Sequence, residues 1–217
     1  MLTVLLTRHG HTDRSEPEQY LGQRIQAMLT ERGRHDAEML AQRLEAVPVD
    51  RIICSPLGRA VETANILANT IDAPVETDVR LTELDYGAWE GLTVEVIDER
   101  FPGERDLYNH DPASHQVGGG ESGYEVAARV ADFIEGLLTW GLEGEEDRTC
   151  VVVGHSSLNR VLLATVMGVP LNDYRRRFEQ DWANLTVMRW ESRAEGPKLL
   201  LANDQSHSKG IGGATWD

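Results

Sequence analysis

A chain of 217 residues, 41% hydrophobic and 26% charged, is excluded from the intrinsically disordered class and is long enough for one domain burying roughly 70% of its unfolded surface. Its 36 acidic side chains outnumber 21 Lys and Arg, and the formal charge of −15 repels nucleic acid and anionic membranes at long range, so a small anionic ligand would need a local cluster of cations. Cys54 and Cys150 each flank an apolar stretch and suit reduced thiols; with no secretory pattern at the start and no apolar run of membrane-spanning length, a cytoplasmic protein is expected.

The first ten residues form an apolar run that stops at Arg8, His9 and Gly10, which predicts a buried central strand and a sharp turn where it ends. Chemistry in open α/β sheets sits there, beyond the carboxyl ends of the strands. Residues 11–26 are too polar for core and predict a loop over the site. Thr30 caps a predicted helix to about residue 46, with Ala37, Leu40, Ala41 and Leu44 on one face. Residues 51–54 predict a second strand that runs into Ser55-Pro56, a helix-start signal with Ser at the N-cap. The helix that follows carries Ala60, Ala64, Leu67, Ala68 and Ile71 at helical spacing, ends before Ala73-Pro74, and presents Arg59 in its first turn.

Residues 74–77 predict a short strand, residues 81–91 a structured loop with neither period, and Thr93 the start of a helix to Phe101. Two Pro and four Gly within residues 102–121 predict an irregular excursion or lid. Val126, Val130, Phe133, Ile134, Leu137 and Leu138 form a helical stripe, followed by an acidic linker over residues 141–148. The opening pattern then recurs: residues 150–153 are an apolar strand running into Gly154-His155 and a helix with Leu158, Val161, Leu162 and Val166. Residues 184–190 and 198–201 predict final strands, and the Gly-rich tail from Gly210 reads as mobile. This alternation predicts one α/β domain over residues 1–217, three-layered, with a mostly parallel central sheet and helices on both faces.

In such a fold, three strand-to-helix junctions bring together Arg8 and His9, Arg59, and His155. Two arginines and two histidines suit a tetrahedral dianion, because guanidinium forks bind phosphate bidentately and helix N-termini add N–H donors. Cys54 to Arg59 is similar in outline to the Cys-x5-Arg loop of cysteine-dependent phosphatases, but only four residues intervene. His110, Asp111 and His115 are metal-ligand types, yet they lie in a Gly- and Pro-flanked stretch without the spacing of zinc motifs, and a solvated loop is the better reading.

The chain resembles the histidine phosphatase superfamily, in its phosphoglycerate mutase-like branch. The matching segments are Leu6-Thr-Arg-His-Gly-His-Thr12, Cys54-Ser-Pro-Leu-Gly-Arg-Ala-Val-Glu-Thr-Ala64, Leu81-Thr-Glu-Leu-Asp-Tyr-Gly-Ala-Trp-Glu-Gly91, Gly119-Gly-Glu-Ser122 and Val153-Gly-His155, in the family's order. The resemblance implies that His9 is a nucleophile forming a phosphohistidine, that Arg8, Arg59 and His155 hold the phosphoryl oxygens, and that Glu83 donates the proton to the leaving oxygen. Glu121 and Ser122 fall in the family's Gly-Glu-Ser element and read as structural or as supports behind the residues that touch the ligand. Ser15, where the family often has Asn, and Ser156, where it often has Gly, are further phosphate-binding candidates. His11 stands where Glu or Gln is common, and the Asp-x-Pro-Leu-Thr element is reduced to Gln26-Ala-Met-Leu-Thr30.

The implied activity is a metal-independent histidine acid phosphatase-type phosphomonoesterase that acts on a small phosphorylated metabolite without a cofactor. A cofactor-dependent phosphoglycerate mutase-like transfer is the alternative, against which Arg105 is the sole Arg or Lys within residues 102–121. A silent phosphate-binding module is the third reading. No nucleic acid or membrane partner is expected, and the oligomeric state is open, a homodimer included. Trp89, Trp140, Trp182, Trp190 and Trp216 read as packing residues, with Trp89 near enough to Glu83 to line a pocket.

Overall fold

Alternation along the first strand, β1 (Leu2–Arg8), divides the interior into two cores: Leu2, Val4 and Leu6 face one, and Leu5 faces the other. A strand covered on both sides belongs in the middle of a sheet, and the computed structural model, which describes residues 1–144 and 146–209, places it there. β1 pairs in parallel with β4 (Arg148–Gly154), in register from Leu2↔Arg148 to Arg8↔Gly154, and antiparallel with β5 (Leu185–Trp190). β4 pairs in parallel with β2 (Arg51–Cys54), and β2 with β3 (Val75–Thr77), while β6 (Pro197–Asp204) closes the far edge antiparallel to β5. The order is β3-β2-β4-β1-β5-β6, a six-stranded, mostly parallel sheet.

Helices α1 (Glu31–Leu44) and α2 (Gly58–Ile71) cover one face, where Leu40, Leu44, Ala60, Ala64 and Leu67 pack on Leu5, Ile52, Val151 and Val153. Helices α5 (Gly123–Leu142) and α6 (Ser156–Met167) cover the other, with Val126, Val130, Leu137, Leu158 and Val161 against Leu2, Val4, Leu6 and Val152. The three-layer α/β expectation holds. Among the described residues, no helix is long and apolar enough to cross a membrane.

Three local expectations change. The helix predicted to start at Ser55-Pro56 begins at Gly58, because the Ser55 N–H still donates to the Val153 carbonyl at 3.0 Å and extends the sheet one residue further. The irregular excursion contains α4 (Glu104–His110), preceded by α3 (Val94–Arg100), and a single turn at Val117–Gly119. It is anchored by the wholly buried Tyr108, whose hydroxyl lies 2.9 Å from that of Tyr174 on α7 (Tyr174–Arg177). The acidic linker is shorter than expected, since α5 starts at a Ser122/Glu125 capping box and runs to Leu142. The tail from Gly210 lies outside the described residues, which end with the short helix α8 (Ser206–Lys209).

The turn after β1 is held against α1 by two glycines. A Cβ on Gly10 would stand 2.5 Å from the Gly33 carbonyl oxygen, and one on Gly33 would stand 2.1 Å from the His11 carbonyl oxygen. In an open helix, Gly→Ala stabilises by about 1 kcal/mol. Gly33→Ala is expected to have the opposite sign here, destabilising by about 1–3 kcal/mol through overpacking. Urea unfolding of the variant checks this, and a higher midpoint would contradict the close approach.

Candidate active site

β1 and β4 end side by side, so the residues that follow them meet: the His9 N–H donates to the Gly154 carbonyl at 3.0 Å, and the His9 and His155 ring centroids are 5.2 Å apart. Arg59 enters from the first turn of α2, after β2, and Glu83 from the loop that follows a single turn at Val79–Leu81. His9, Arg59, Glu83 and His155 are all buried, and Arg8 is half-buried.

The His9 Nδ1 lies 2.8 Å from the Gly10 carbonyl oxygen. A carbonyl only accepts, so in the neutral ring Nδ1 carries the hydrogen and Nε2 the lone pair. Burial, then the charges of Arg59 and Arg8, push His9 well below the ordinary imidazole value. His155 is pushed the same way by burial and then by Arg59, and among the described residues neither of its ring nitrogens has a hydrogen-bond partner.

Arg59 Nη2 donates to the Gly22 carbonyl at 2.8 Å, while its buried Nε has no partner among the described residues. Burial lowers the guanidinium to about 10, which leaves it charged at neutral pH. Arg8 Nη1 donates to the Gln180 carbonyl at 2.9 Å, its Nη2 stands 3.6 Å from Glu18, and its guanidinium lies 4.9 Å from the Trp182 ring centroid. The Glu83 carboxylate accepts from the first turn of α6, Oε1 from the Leu158 N–H at 2.9 Å and Oε2 from the Ser157 N–H at 3.2 Å, and Oε1 also accepts from the Leu84 N–H at 2.9 Å. The helix N-terminus thus fixes an acid beside the paired histidines.

A cavity of about 340 Å³ opens over this cluster, lined by Arg8, His9, Ser15, Arg59, Glu83 and Ser156 among others. His155 is fully buried and is not among the lining residues. The Ser15 hydroxyl accepts from the Thr12 N–H at 3.0 Å, tying it to its own turn. His11 is outside the wall, its Nδ1 2.9 Å from the Thr30 hydroxyl. Trp89 is not a lining residue; it is wholly buried between Tyr20 and Tyr108. The tryptophan in the wall is Trp182, which the sequence assigned to packing. Tyr20, Tyr86, Arg160 and Arg175 also stand in the wall, with the acidic Glu18, Glu179 and Asp181 among its other members, and sequence reasoning missed them. Arg160 was within reach of sequence reasoning, four residues after Ser156 on the same helix face, whereas Arg175 sits in a run of three arginines with no signal to choose among them.

The competing sites do not assemble. Cys54 is buried in the core beside α2, and burial pushes its thiol up to about 11, against a thiolate nucleophile. His115 Nε2 lies 3.0 Å from Glu104, in the excursion.

Residues 4–205 match the model of the histidine phosphatase superfamily (branch 1). The chain belongs to this superfamily. It is 31% identical over 193 residues to phosphoserine phosphatase 1 of Hydrogenobacter thermophilus, covering 89% of both chains. It is 34% identical over 177 residues to a probable phosphoglycerate mutase of Cronobacter sakazakii, covering 81% of this chain and 80% of the relative. Among solved structures, the mycobacterial glucosyl-3-phosphoglycerate phosphatase complexed with VO3 is 31% identical, with a TM-score of 0.80 over 93% of this chain and 98% of that one.

Because both imidazoles of this superfamily member are held below their ordinary value, they stay neutral as pH falls through 6.5, whereas the unfolded chain takes up protons there. Folding stability contributed by the two rings is therefore full above about pH 6.5 and lost progressively below it. Proton NMR of the rings, assigned with His9→Gln and His155→Gln, should show neutral-form shifts at pH 6, and a midpoint at or above 6.5 would refute the electrostatic picture.

Proposed function

We propose that the protein is a metal-independent phosphatase that hydrolyses a small phosphomonoester through a phosphohistidine on His9. The observation that carries this reading is the 2.8 Å contact between His9 Nδ1 and the Gly10 carbonyl, which fixes a neutral tautomer with a lone pair on Nε2 in a buried site flanked by two arginines. A neutral imidazole is a competent nucleophile near pH 7, and a covalent intermediate divides a difficult displacement into two steps.

In the first step Nε2 attacks phosphorus, the bond from phosphorus to the alcohol oxygen breaks, and Glu83 gives that oxygen its proton. In the second, Glu83 takes a proton from water, the oxygen attacks phosphorus, the P–N bond breaks, and inorganic phosphate leaves with His9 neutral again. Arg8 and Arg59 supply the positive charge that phosphoryl transfer needs, and His155, whose ring nitrogens have no partner among the described residues, is assigned to a phosphoryl oxygen. Ser15 and Ser156 stand in the wall as additional donors, and Tyr20, Tyr86, Arg160 and Arg175 face the alcohol portion.

Relatives whose names give phosphoserine and glucosyl-3-phosphoglycerate phosphatases support hydrolysis of a small phosphorylated metabolite. The mutase reading draws on the relative named a probable phosphoglycerate mutase and on Arg160 and Arg175 as grips for a second anionic group. Against it, Arg105, the one cation of the excursion's basic residues, is turned to Asp98 at 2.7 Å.

With 3-phosphoglycerate and 2,3-bisphosphoglycerate present, inorganic phosphate is expected to accumulate without 2-phosphoglycerate, and the reverse product pattern would select the mutase. His9→Ala should lower p-nitrophenyl phosphate turnover by at least about 10³-fold, the scale of losing a covalent nucleophile. The wild type should also yield an acid-labile, base-stable phosphoenzyme, and full turnover in the variant would overturn the nucleophile assignment.

A further inference from the structure

Glu83 is held twice, and the second hold is unexplained by the chemistry above. Its carboxylate is gripped by the amides of α6, but its backbone is gripped from the opposite side by Arg129 of α5. All five guanidinium N–H groups of Arg129 are used. Nη1 donates to the carbonyls of Arg80 and Thr82 at 2.7 and 2.8 Å, and Nη2 donates to the Glu83 carbonyl at 3.1 Å. Nε and Nη2 also form a bidentate pair with Glu121, at 3.0 and 2.9 Å. Glu121 Oε2 in turn accepts from the Asp85 N–H at 3.0 Å and from Gln23 Nε2 at 3.1 Å, and the same Gln23 nitrogen donates to the Glu83 carbonyl at 2.8 Å.

We propose that Arg129, set by Glu121, is a positioning residue for the proton transfer by Glu83. The inference rests on the assignment of Glu83 as the acid. Residues 82–86 follow no regular hydrogen-bond ladder, so their carbonyls need donors from elsewhere. One guanidinium reaches the Arg80 carbonyl in the single turn, the Thr82 and Glu83 carbonyls in the loop, and both Glu121 oxygens, because arginine carries five donors in a planar fork. Arg129 is absent from the cavity wall and acts through the backbone of Glu83. Loss of the fork frees the loop to shift, and a displacement near 1 Å in a catalytic group costs on the order of 10²-fold in rate. Gln23 adds a link to the phosphate side, since it adjoins the Gly22 carbonyl that receives Arg59.

A positioning role differs from a merely structural one in its dependence on the leaving group. p-Nitrophenolate departs without a proton, whereas an alkoxide needs one. The experiment compares kcat and KM for p-nitrophenyl phosphate and a series of alkyl phosphates in the wild type, Arg129→Met, Arg129→Lys, Glu121→Gln and Glu83→Gln. In Arg129→Met, kcat for the alkyl esters is expected to fall at least tenfold more than kcat for the aryl ester, with Arg129→Lys recovering part of the difference. Adding Arg129→Met to Glu83→Gln should then widen that difference by less than about twofold, as two parts of one unit do. Equal losses on both ester classes, or independent effects in the double variant, would overturn the brace. If Arg129→Met gives no melting transition, the isosteric Glu121→Gln carries the same comparison with the same two outcomes. A flat leaving-group dependence in Glu83→Gln removes the acid assignment and the brace with it; a steep one there, with a wild-type pattern in the Arg129 and Glu121 variants, removes the brace alone.

Discussion

The hydrogen bond from the His9 amide to the Gly154 carbonyl is the last rung of the β1–β4 ladder, and the site depends on it. Parallel pairing in register makes both strands end at the same level, so one ladder delivers two imidazoles to one point. β2, paired to the other side of β4, delivers the start of α2 and with it Arg59. The apolar side chains that bury both faces of β1 therefore do more than build cores: they fix the register that sets the spacing of the histidines.

One electrostatic arrangement would serve both the proposed phosphoryl binding and the proposed nucleophile. The guanidinium charges of Arg8 and Arg59 suit a phosphoryl group, and they are also what, after burial, keeps His9 unprotonated. The surrounding molecule carries a formal charge of −15, but at physiological ionic strength screening confines exposed charges to a Debye length of about 8 Å, while cations in a recessed pocket are screened far less. A strongly acidic surface and an anion-binding cleft are thus compatible.

Arg8, His9, Arg59 and His155 are legible in the sequence because each terminates or starts an apolar-periodic element, where local pattern and site geometry coincide. Glu83 is not legible from its neighbours. Its partners are the Ser157 and Leu158 amides, 74 and 75 residues away, so only resemblance to a family marks it. Arg129 is harder still, since an arginine on the polar side of an amphipathic helix ordinarily meets solvent, and its five bonds exist only in the tertiary structure. The Ser55-Pro56 signal misplaced the start of α2 because a sheet hydrogen bond outcompeted the cap. The excursion misled through composition: its Gly and Pro are real, but burial of Tyr108 rewards a helical turn between them.

The hydroxyl pair of Tyr108 and Tyr174 joins the excursion to α7, whose Arg175 lines the cleft. His9 and His155 follow the strand ends, while much of the remaining wall is assembled from α3, α6, α7 and the loops. Val94 and Arg175 can therefore be exchanged without disturbing the strand ladder that sets the histidines, whereas Arg160 shares a helix with the amides that hold Glu83.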